Sequence, residues 1–418
     1  MTSARPLPSP TPPEPPPRPA SFRPVSSPWG GRPRLLILTV GFDVGGAEQL
    51  ILTTAPRLQR DGFEVTVACL KGWAILGDEL EGRGVRAVAL GAKGAWDLRA
   101  FGRLLSIVRR DRIQILQGHM FLANLAARIV GRLATVPIVV TAHHDTDVWM
   151  RFYHRWIERL TAPLSDSVTA CSEAVRRHAL GVLGLPPGLV RTLPNAIEIP
   201  DGGADPRARE RVRRELGASQ EDLLVGSLGR LLEPKKGLAV FLAAARLLSR
   251  DFPRVRFALV GEGPARGPLE KRAAREGVSH CTAFAGLRRD VPDVMRAFDL
   301  FVQPSLWEGF GLTAVEAMAV GTPVVASRVG GVSEVVADGE TGILVPPGDA
   351  PALAAACAQL LRNRDLAERL GRAGMERVRA RFGIERMVRD LEDLYRELLD
   401  RSRGAAAPAP PGPARSEG

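Results

Sequence analysis

Apolar positions along the chain fall into short continuous runs separated by longer stretches of helical period. The first run, Leu35-Leu36-Ile37-Leu38 with Val40, shows no polar alternation, the pattern of a parallel strand covered on both faces. Similar runs predict strands at 64–70, 85–90, 113–117, 137–142 and 167–170, with helices at 47–59, 97–110, 122–133 and 173–180. A polar stretch over 199–222 predicts a linker. The alternation then restarts with strands at 223–228, 255–260, 282–285, 300–302, 323–326 and 342–345. Helices are expected at 238–249, 268–276, 291–297 and 351–362, with another from Leu312 and the last reaching Arg403. Such alternation predicts an α/β chain of doubly wound parallel sheets, whose ligands gather beyond the carboxyl ends of the strands.

One segment fits two descriptions. Over 149–160, Trp149, Phe152, Tyr153, Trp156, Ile157 and Leu160 fall on one helical stripe, and Arg151, Arg155 and Arg159 on another. The ordinary expectation buries the aromatic stripe in the core and leaves the arginines in water. A basic aromatic helix can also lie on a membrane surface.

Candidate chemistry lies in the turns after the strands. Gly45 and Gly46 follow the first strand and open a helix, a phosphate-binding arrangement that lacks the Gly-x-Gly-x-x-Gly dinucleotide spacing. His119 follows the strand at 113–117, where a structural hydrogen bond and a ligand contact are both open roles. His143, His144 and Asp145 follow the next strand; with no third ligand at metal spacing, hydrogen-bonding roles are expected and no metal. In the second half, Gly229-Arg230 and Lys235-Lys236-Gly237 put a guanidinium fork and an ammonium in one loop, which suits a diphosphate.

The densest signal is 303–326. A buried strand ends at Gln303, the turn Glu308-Gly309-Phe310-Gly311 lets backbone approach a ligand, and a helix from Leu312 points its open amides back at that spot. Glu308 sits at the mouth of the turn. Glu316 lies in an apolar helical run, where a charge needs a partner.

Composition narrows the class. A length of 418 residues, 45% of them hydrophobic, allows two cores. The formal charge of +11 favours anionic partners such as phosphorylated small molecules, nucleic acid or an anionic membrane. The basic residues are spread over many elements without a base-reading module, which argues against nucleic acid. Four scattered cysteines without Cys-x-x-Cys spacing fit a reducing, cytoplasmic setting. The longest apolar segment, 121–140, is interrupted by Arg128 and Arg132, so no membrane span is expected, although peripheral contact with the inner membrane face stays open. Residues 1–33 are proline-rich and 404–418 similar, and both predict disordered tails.

Taken together, these motifs resemble the retaining nucleotide-sugar glycosyltransferases of family 4, the group 1 glycosyltransferases, from Arg34 to about Arg401. The likeness rests on Gly45-Gly46-Ala47-Glu48, the His119 segment, Cys171-Ser172-Glu173-Ala174-Val175, Leu193-Pro194-Asn195, Gly229-Arg230 with Lys236-Gly237, Gly261-Glu262-Gly263-Pro264, and Glu308 with Glu316. It implies a GT-B architecture of two Rossmann-like domains facing a cleft, an acceptor-side domain over 34–200 and a donor-side domain over 201–383. A last helix, 384–403, would return to the first domain. It further implies that Arg230 and Lys236 bind the donor diphosphate, that Glu308 contacts the transferred sugar and that Glu316 holds the ribose. His119 would lie beside the reacting centre. Gly45, Gly46 and the Phe310, Gly311 and Leu312 amides would line the donor, with Gly286 and Leu287 at the nucleobase rim. The donor would be a nucleoside-diphosphate sugar, with no cofactor and no obligatory metal; the acceptor could be a lipid, a glycan or a small molecule. Two departures are visible: Ala196-Ile197-Glu198 follows Asn195 where the family has Gly-Ile-Asp, and Gln117 replaces a frequent His. A GT-B nucleotide-sugar epimerase and a non-catalytic nucleotide-sugar-binding module are the alternatives.

Overall fold

The structure is a computed structural model that describes residues 31–41, 45–72, 75–94, 97–146, 148–200 and 205–406. The tails expected at 1–33 and 404–418 fall almost wholly outside these residues, and the last helix runs on to Ala406. The first seven strands are β1 (Arg34–Thr39), β2 (Glu64–Cys69), β3 (Arg86–Ala89), β4 (Ile115–His119), β5 (Ile138–His143), β6 (Ser167–Ala170) and β7 (Val190–Thr192). They pair in parallel in the order β3-β2-β1-β4-β5-β6-β7. Six more form a second parallel sheet: β8 (Leu223–Leu228), β9 (Val255–Val260), β10 (Thr282–Gly286), β11 (Leu300–Gln303), β12 (Val324–Ser327) and β13 (Ile343–Val345). Their order is β10-β9-β8-β11-β12-β13.

The pleat explains the unbroken apolar runs. Leu35 and Ile37 point to one face, packing with residues of the helices Gly46–Arg60 and Ile384–Ala406, while Leu36 and Leu38 pack on the other with the helices Leu98–Arg110 and Phe121–Leu133. The second sheet repeats the scheme, with Val225, Phe257 and Leu259 on one face and Leu224, Ala258 and Val260 on the other. Each sheet reverses its winding once, between β1 and β4 and between β8 and β11. Loops leaving those strand ends diverge and open a crevice, the place where such folds bind ligands.

The two crevices face each other. Ser172 Oγ donates to the Gly309 carbonyl at 2.6 Å, and the Glu334 carboxylate accepts from the Glu173 and Ala174 amides at 2.9 and 2.7 Å. The helix Ile384–Ala406 lies on the first sheet. Ile384, Met387, Val388, Leu391, Leu394, Tyr395 and Leu398 follow a helical stripe into its core.

Several elements were not foreseen, among them a helix, a strand and a second helix in the first half and the linker. The expected linker contains the helix Pro206–Glu215, whose Asp205 side chain caps the Arg207 amide and whose Arg213 is buried against Asp299 at 2.9 Å. The Asp-Pro step is a start signal that its arginine-rich composition masked. The strand β7 and the helix Ile75–Gly82 are too short to show a period. Another finding is a correction. The segment at 149–160 forms the helix Phe152–Thr161, but of the stripe expected in the core Ile157 alone packs partly against it, while Phe152 is 75%, Trp156 58% and Leu160 69% exposed. Its fully buried residue is instead Glu158, drawn inward because Arg128 and His143 lie beneath it at 2.6 and 3.0 Å.

Candidate active site between the two sheets

The site is built from loops at the carboxyl ends of strands in both sheets. On the second sheet, the loop after β8 carries Arg230, Lys235 and Lys236. Its bond network is tied down: the Leu231 amide donates to the Glu262 carbonyl at 2.9 Å, and the Gly229 amide to Val260. A Cβ on Gly261 or Gly263 would collide with the Gly229 or Leu231 carbonyl, so glycines in the 261–263 turn set how close the two loops lie. Glu233 caps the helix Leu238–Asp251 through the Leu238 and Ala239 amides, leaving the loop's charge to its cations. Arg230 is exposed, and its guanidinium meets no hydrogen-bond acceptor among the described residues.

The loop after β11 answers it. Lys236 Nζ lies 2.7 Å from Glu308 Oε2, an oxygen also reached by Ser305 Oγ at 3.3 Å and Gln303 Nε2 at 3.5 Å. Gln303 is oriented in turn by Thr313 at 3.2 Å. Burial raises the Glu308 pKa, but Lys236, Lys235 and the Ser305 hydroxyl outweigh it, so the carboxyl sits below its ordinary value and is ionised. Glu316, one turn into the helix Leu312–Ala319, is different. Burial raises it to about 7, and only Lys236 opposes that shift. Lys236 therefore bears on both acids, as an ion-pair partner of Glu308 and as the charge that opposes the shift of Glu316. Gly311, at φ 102°, is the left-handed residue that starts this helix, and it offers no capping side chain, so the first amides open toward the cleft. A small cavity is lined by Arg230, Lys236, Gln303, Ser305 and Thr313.

The first sheet supplies the opposite wall. His119 ends β4, and its Nδ1 lies 2.8 Å from His144 Nε2, with the two rings stacked within 10°. One nitrogen donates and the other accepts, so the accepting ring is neutral. Burial, then the neighbouring His143, lowers His144 to about 4, and burial with His144 lowers His119 well below its usual value. The three-residue cluster divides as expected of hydrogen-bonding groups: His143 turns inward to Glu158, His144 faces His119, and Asp145 reaches across to Lys235.

The structure brings most of the predicted residues together. Gly309 lies against the His144 carbonyl, which a Cβ would strike at 2.1 Å, and Gly46 packs on Leu312 across the cleft. Gly45 caps the first helix beside Gly46, although residues 42–44 of that loop lie outside the described residues. Phe310 is buried against Phe382, so its side chain seats the turn while its backbone faces the cleft. Gly286, at φ 69°, ends β10 two strands from the switch, with Leu287 half exposed at the rim. Sequence reasoning missed Gln303, Ser305 and Thr313 as the frame of Glu308; polar residues at a buried strand's end were the available signal. It also missed Glu334, which no local pattern marks.

Two parallel-sheet, Rossmann-like domains meeting across a cleft of this kind define the GT-B fold. Residues 208–377 match the family model "Glycosyl transferases group 1", and 44–199 match "Glycosyltransferase Family 4". The D-inositol 3-phosphate glycosyltransferase of Corynebacterium glutamicum is 31% identical, over 85% of this chain and 93% of its own. The 2-deoxystreptamine glucosyltransferase of Streptomyces kanamyceticus is 28% identical over 86% and 96%. Among solved structures, HepE of Anabaena in complex with UDP-glucose superposes with a TM-score of 0.79 at 22% identity, covering 87% of this chain and 99% of that one. The chain belongs to the group 1, family 4-type glycosyltransferases, and it is a glycosyltransferase.

Proposed function

We propose that the protein transfers a sugar from a nucleoside-diphosphate sugar to an acceptor hydroxyl with retention of configuration and without an obligatory metal. The observation that carries this reading is the pairing of Lys236 with Glu308 at 2.7 Å beside the cavity that Lys236 and Arg230 line together. Breaking the sugar-phosphate bond leaves negative charge on the nucleoside diphosphate and positive charge on the anomeric carbon. Arg230, Lys236 and the amides at Gly311 and Leu312 stabilise the first, supplying the charge that a metal would otherwise bring. Glu316, protonated or ionised near neutral pH, can hydrogen-bond the ribose hydroxyls. Glu308 orients the sugar. Its carboxylate is engaged by an ammonium at 2.7 Å, which lowers its nucleophilicity and disfavours a double displacement. The acceptor hydroxyl then enters on the face that the leaving diphosphate vacates, with a phosphate oxygen taking its proton and neutral His119 and His144 lining the path. The nucleotide-bound state of HepE is consistent with such a donor.

The test is a donor panel. A UDP-, GDP- or ADP-sugar at ~100 times its dissociation constant stabilises the protein by about 2.7 kcal/mol in a thermal-shift assay. With the donor so chosen, Arg230→Ala and Lys236→Ala each lower turnover by ~100-fold. Activity that survives EDTA and an NMR-assigned product anomer matching the donor complete the test; near-normal rates in either variant refute it. Nucleoside diphosphate that accumulates without any acceptor, together with an altered sugar, would indicate an epimerase instead.

A further inference from the structure

The helix Phe152–Thr161 is built inside out. Its fully buried side chain is an acid, Glu158, fixed by Arg128 and His143, while Phe152, Trp156 and Leu160 stand in one row facing solvent. At 100° per residue this row is continued on one side by Tyr153 and the preceding Trp149, both substantially exposed, and bordered on the other by Arg151, Arg155 and Arg159. An apolar row of this size on a helix does not contribute to any core of the fold, and monomeric surfaces rarely leave so contiguous an aromatic patch in water. The burial of Glu158 explains how the helix stays in place. An ionic anchor of Glu158, Arg128, Thr161 and Ser165 holds it, with Arg128 at 2.6 Å from the acid and 2.9 Å from Ser165, so no outer apolar residue is needed for packing.

We propose that this helix docks the protein on an anionic lipid bilayer, with Phe152, Trp156 and Leu160 entering the interface and Arg151, Arg155 and Arg159 meeting the lipid phosphates. Three observations select this occupant. Tryptophan and tyrosine are the residues that settle at the boundary between headgroups and acyl chains. The arginine row flanks the apolar row, the arrangement of helices that lie in an interface, and the formal charge of +11 favours an anionic surface. The patch is also continuous with the site. Trp149 and His154 pack on Phe121 at ring distances of 6.1 and 5.2 Å, and Phe121 follows His119 by two residues. Docking therefore brings the mouth beside His119 and His144 to the membrane surface, where a lipid-borne acceptor would present its hydroxyl. No helix of the described residues is long and apolar enough to cross the membrane, so the contact is peripheral. This inference rests on the glycosyltransferase reading for its purpose but not for its test.

The experiment is flotation of the full chain with vesicles of phosphatidylglycerol and phosphatidylcholine against phosphatidylcholine alone. Binding is expected to the anionic vesicles, to fall as salt rises, and to be absent from the neutral ones. Phe152→Ser combined with Trp156→Ser should weaken partitioning at least tenfold. The substitutions R151Q, R155Q and R159Q should each weaken it about fivefold. Nucleotide-induced thermal shift, read in the same variants without vesicles, is expected to be unchanged, which separates a failed docking surface from a failed donor site. The proposal is overturned if the wild-type chain ignores anionic vesicles, if the Phe152/Trp156 variant binds them as well as wild type, or if light scattering shows a dimer that this variant abolishes.

Discussion

Two glutamates, Glu158 fully buried and Glu316 partly so, show how environment divides one residue type into separate tasks. Glu158 has an ordinary value near 4.5, which burial would raise. His143 and Arg128 hold it at about 2 instead. A carboxylate with a depressed folded value contributes stability that is present above its unfolded value and lost as pH falls toward the folded one, here from about 4.5 down to 2. Glu158→Ala removes the partner of an arginine with no exposed surface and should cost about 3–5 kcal/mol, read as a melting temperature lower by roughly 10 °C. Glu316 carries the opposite sign. Its folded value is raised to about 7, so the protein gains nothing from it below pH 4.5 and loses stability as pH climbs from there to 7. Glu316→Gln should therefore raise the stability at pH 8 by on the order of 1–3 kcal/mol, read as a higher melting temperature, and the gain should vanish toward pH 4.5. The same variant should lose most of its thermal response to nucleotide, the signature of a residue kept for binding at the expense of the fold. The identity of both acids was legible in the sequence for Glu316 alone, because an acid amid Ala314, Val315, Ala317 and Met318 announces burial. Glu158 gave no such sign, since Arg155 and Arg159 beside it suggested a solvated face.

At the scale of elements, the strand runs and glycine turns were readable because their cause is local. A parallel strand buried on both faces must be apolar throughout, and β1, β8 and β9 begin where the pattern places them. Elements whose stability comes from distant partners were read less well. Helix Pro206–Glu215 is polar by composition and holds because Arg209 and Arg213 reach Asp299, some ninety residues away in sequence. The helix Ile384–Ala406 is the clearest dependence of this kind, because it completes a core in the other half of the chain. Tyr395 donates its hydroxyl to Gln117, the residue that stands where the family has a frequent His, and burial keeps that phenol above its ordinary value. Seven apolar side chains on the helix each contribute about 2 kcal/mol of burial as an upper figure. A chain ending at residue 383 should consequently lose cooperative unfolding of the first sheet. Hydrogen exchange over β1 and β4 should report that loss while β8 and β11 remain protected.

The whole molecule adds the relation between the halves. Ser172, Glu334, Asp145 and Lys235 join loops that belong to different sheets, and they hold Gly309 against the His144 carbonyl. Glu334→Ala removes the acceptor of two helix amides and should favour a more open cleft. The expected outcome is a roughly tenfold lower kcat with nucleotide affinity, measured by calorimetry, changed less than twofold, because the nucleotide contacts proposed here lie on the second sheet. Equal losses in both would instead place Glu334 in the donor site. The sequence by itself determined the α/β class, the doublet of wound sheets, and the loops that carry Arg230, Lys236, Glu308, Glu316 and His119. It could do so because strand burial, turn glycines and charges in apolar runs leave marks within a few residues. Only the tertiary structure decided that His119 meets His144, that Lys236 pairs with Glu308, and that the aromatic helix turns its apolar row outward. Those outcomes depend on which buried partner a polar group finds across the fold, and a partner beyond the reach of a helical or strand period leaves no mark in the chain.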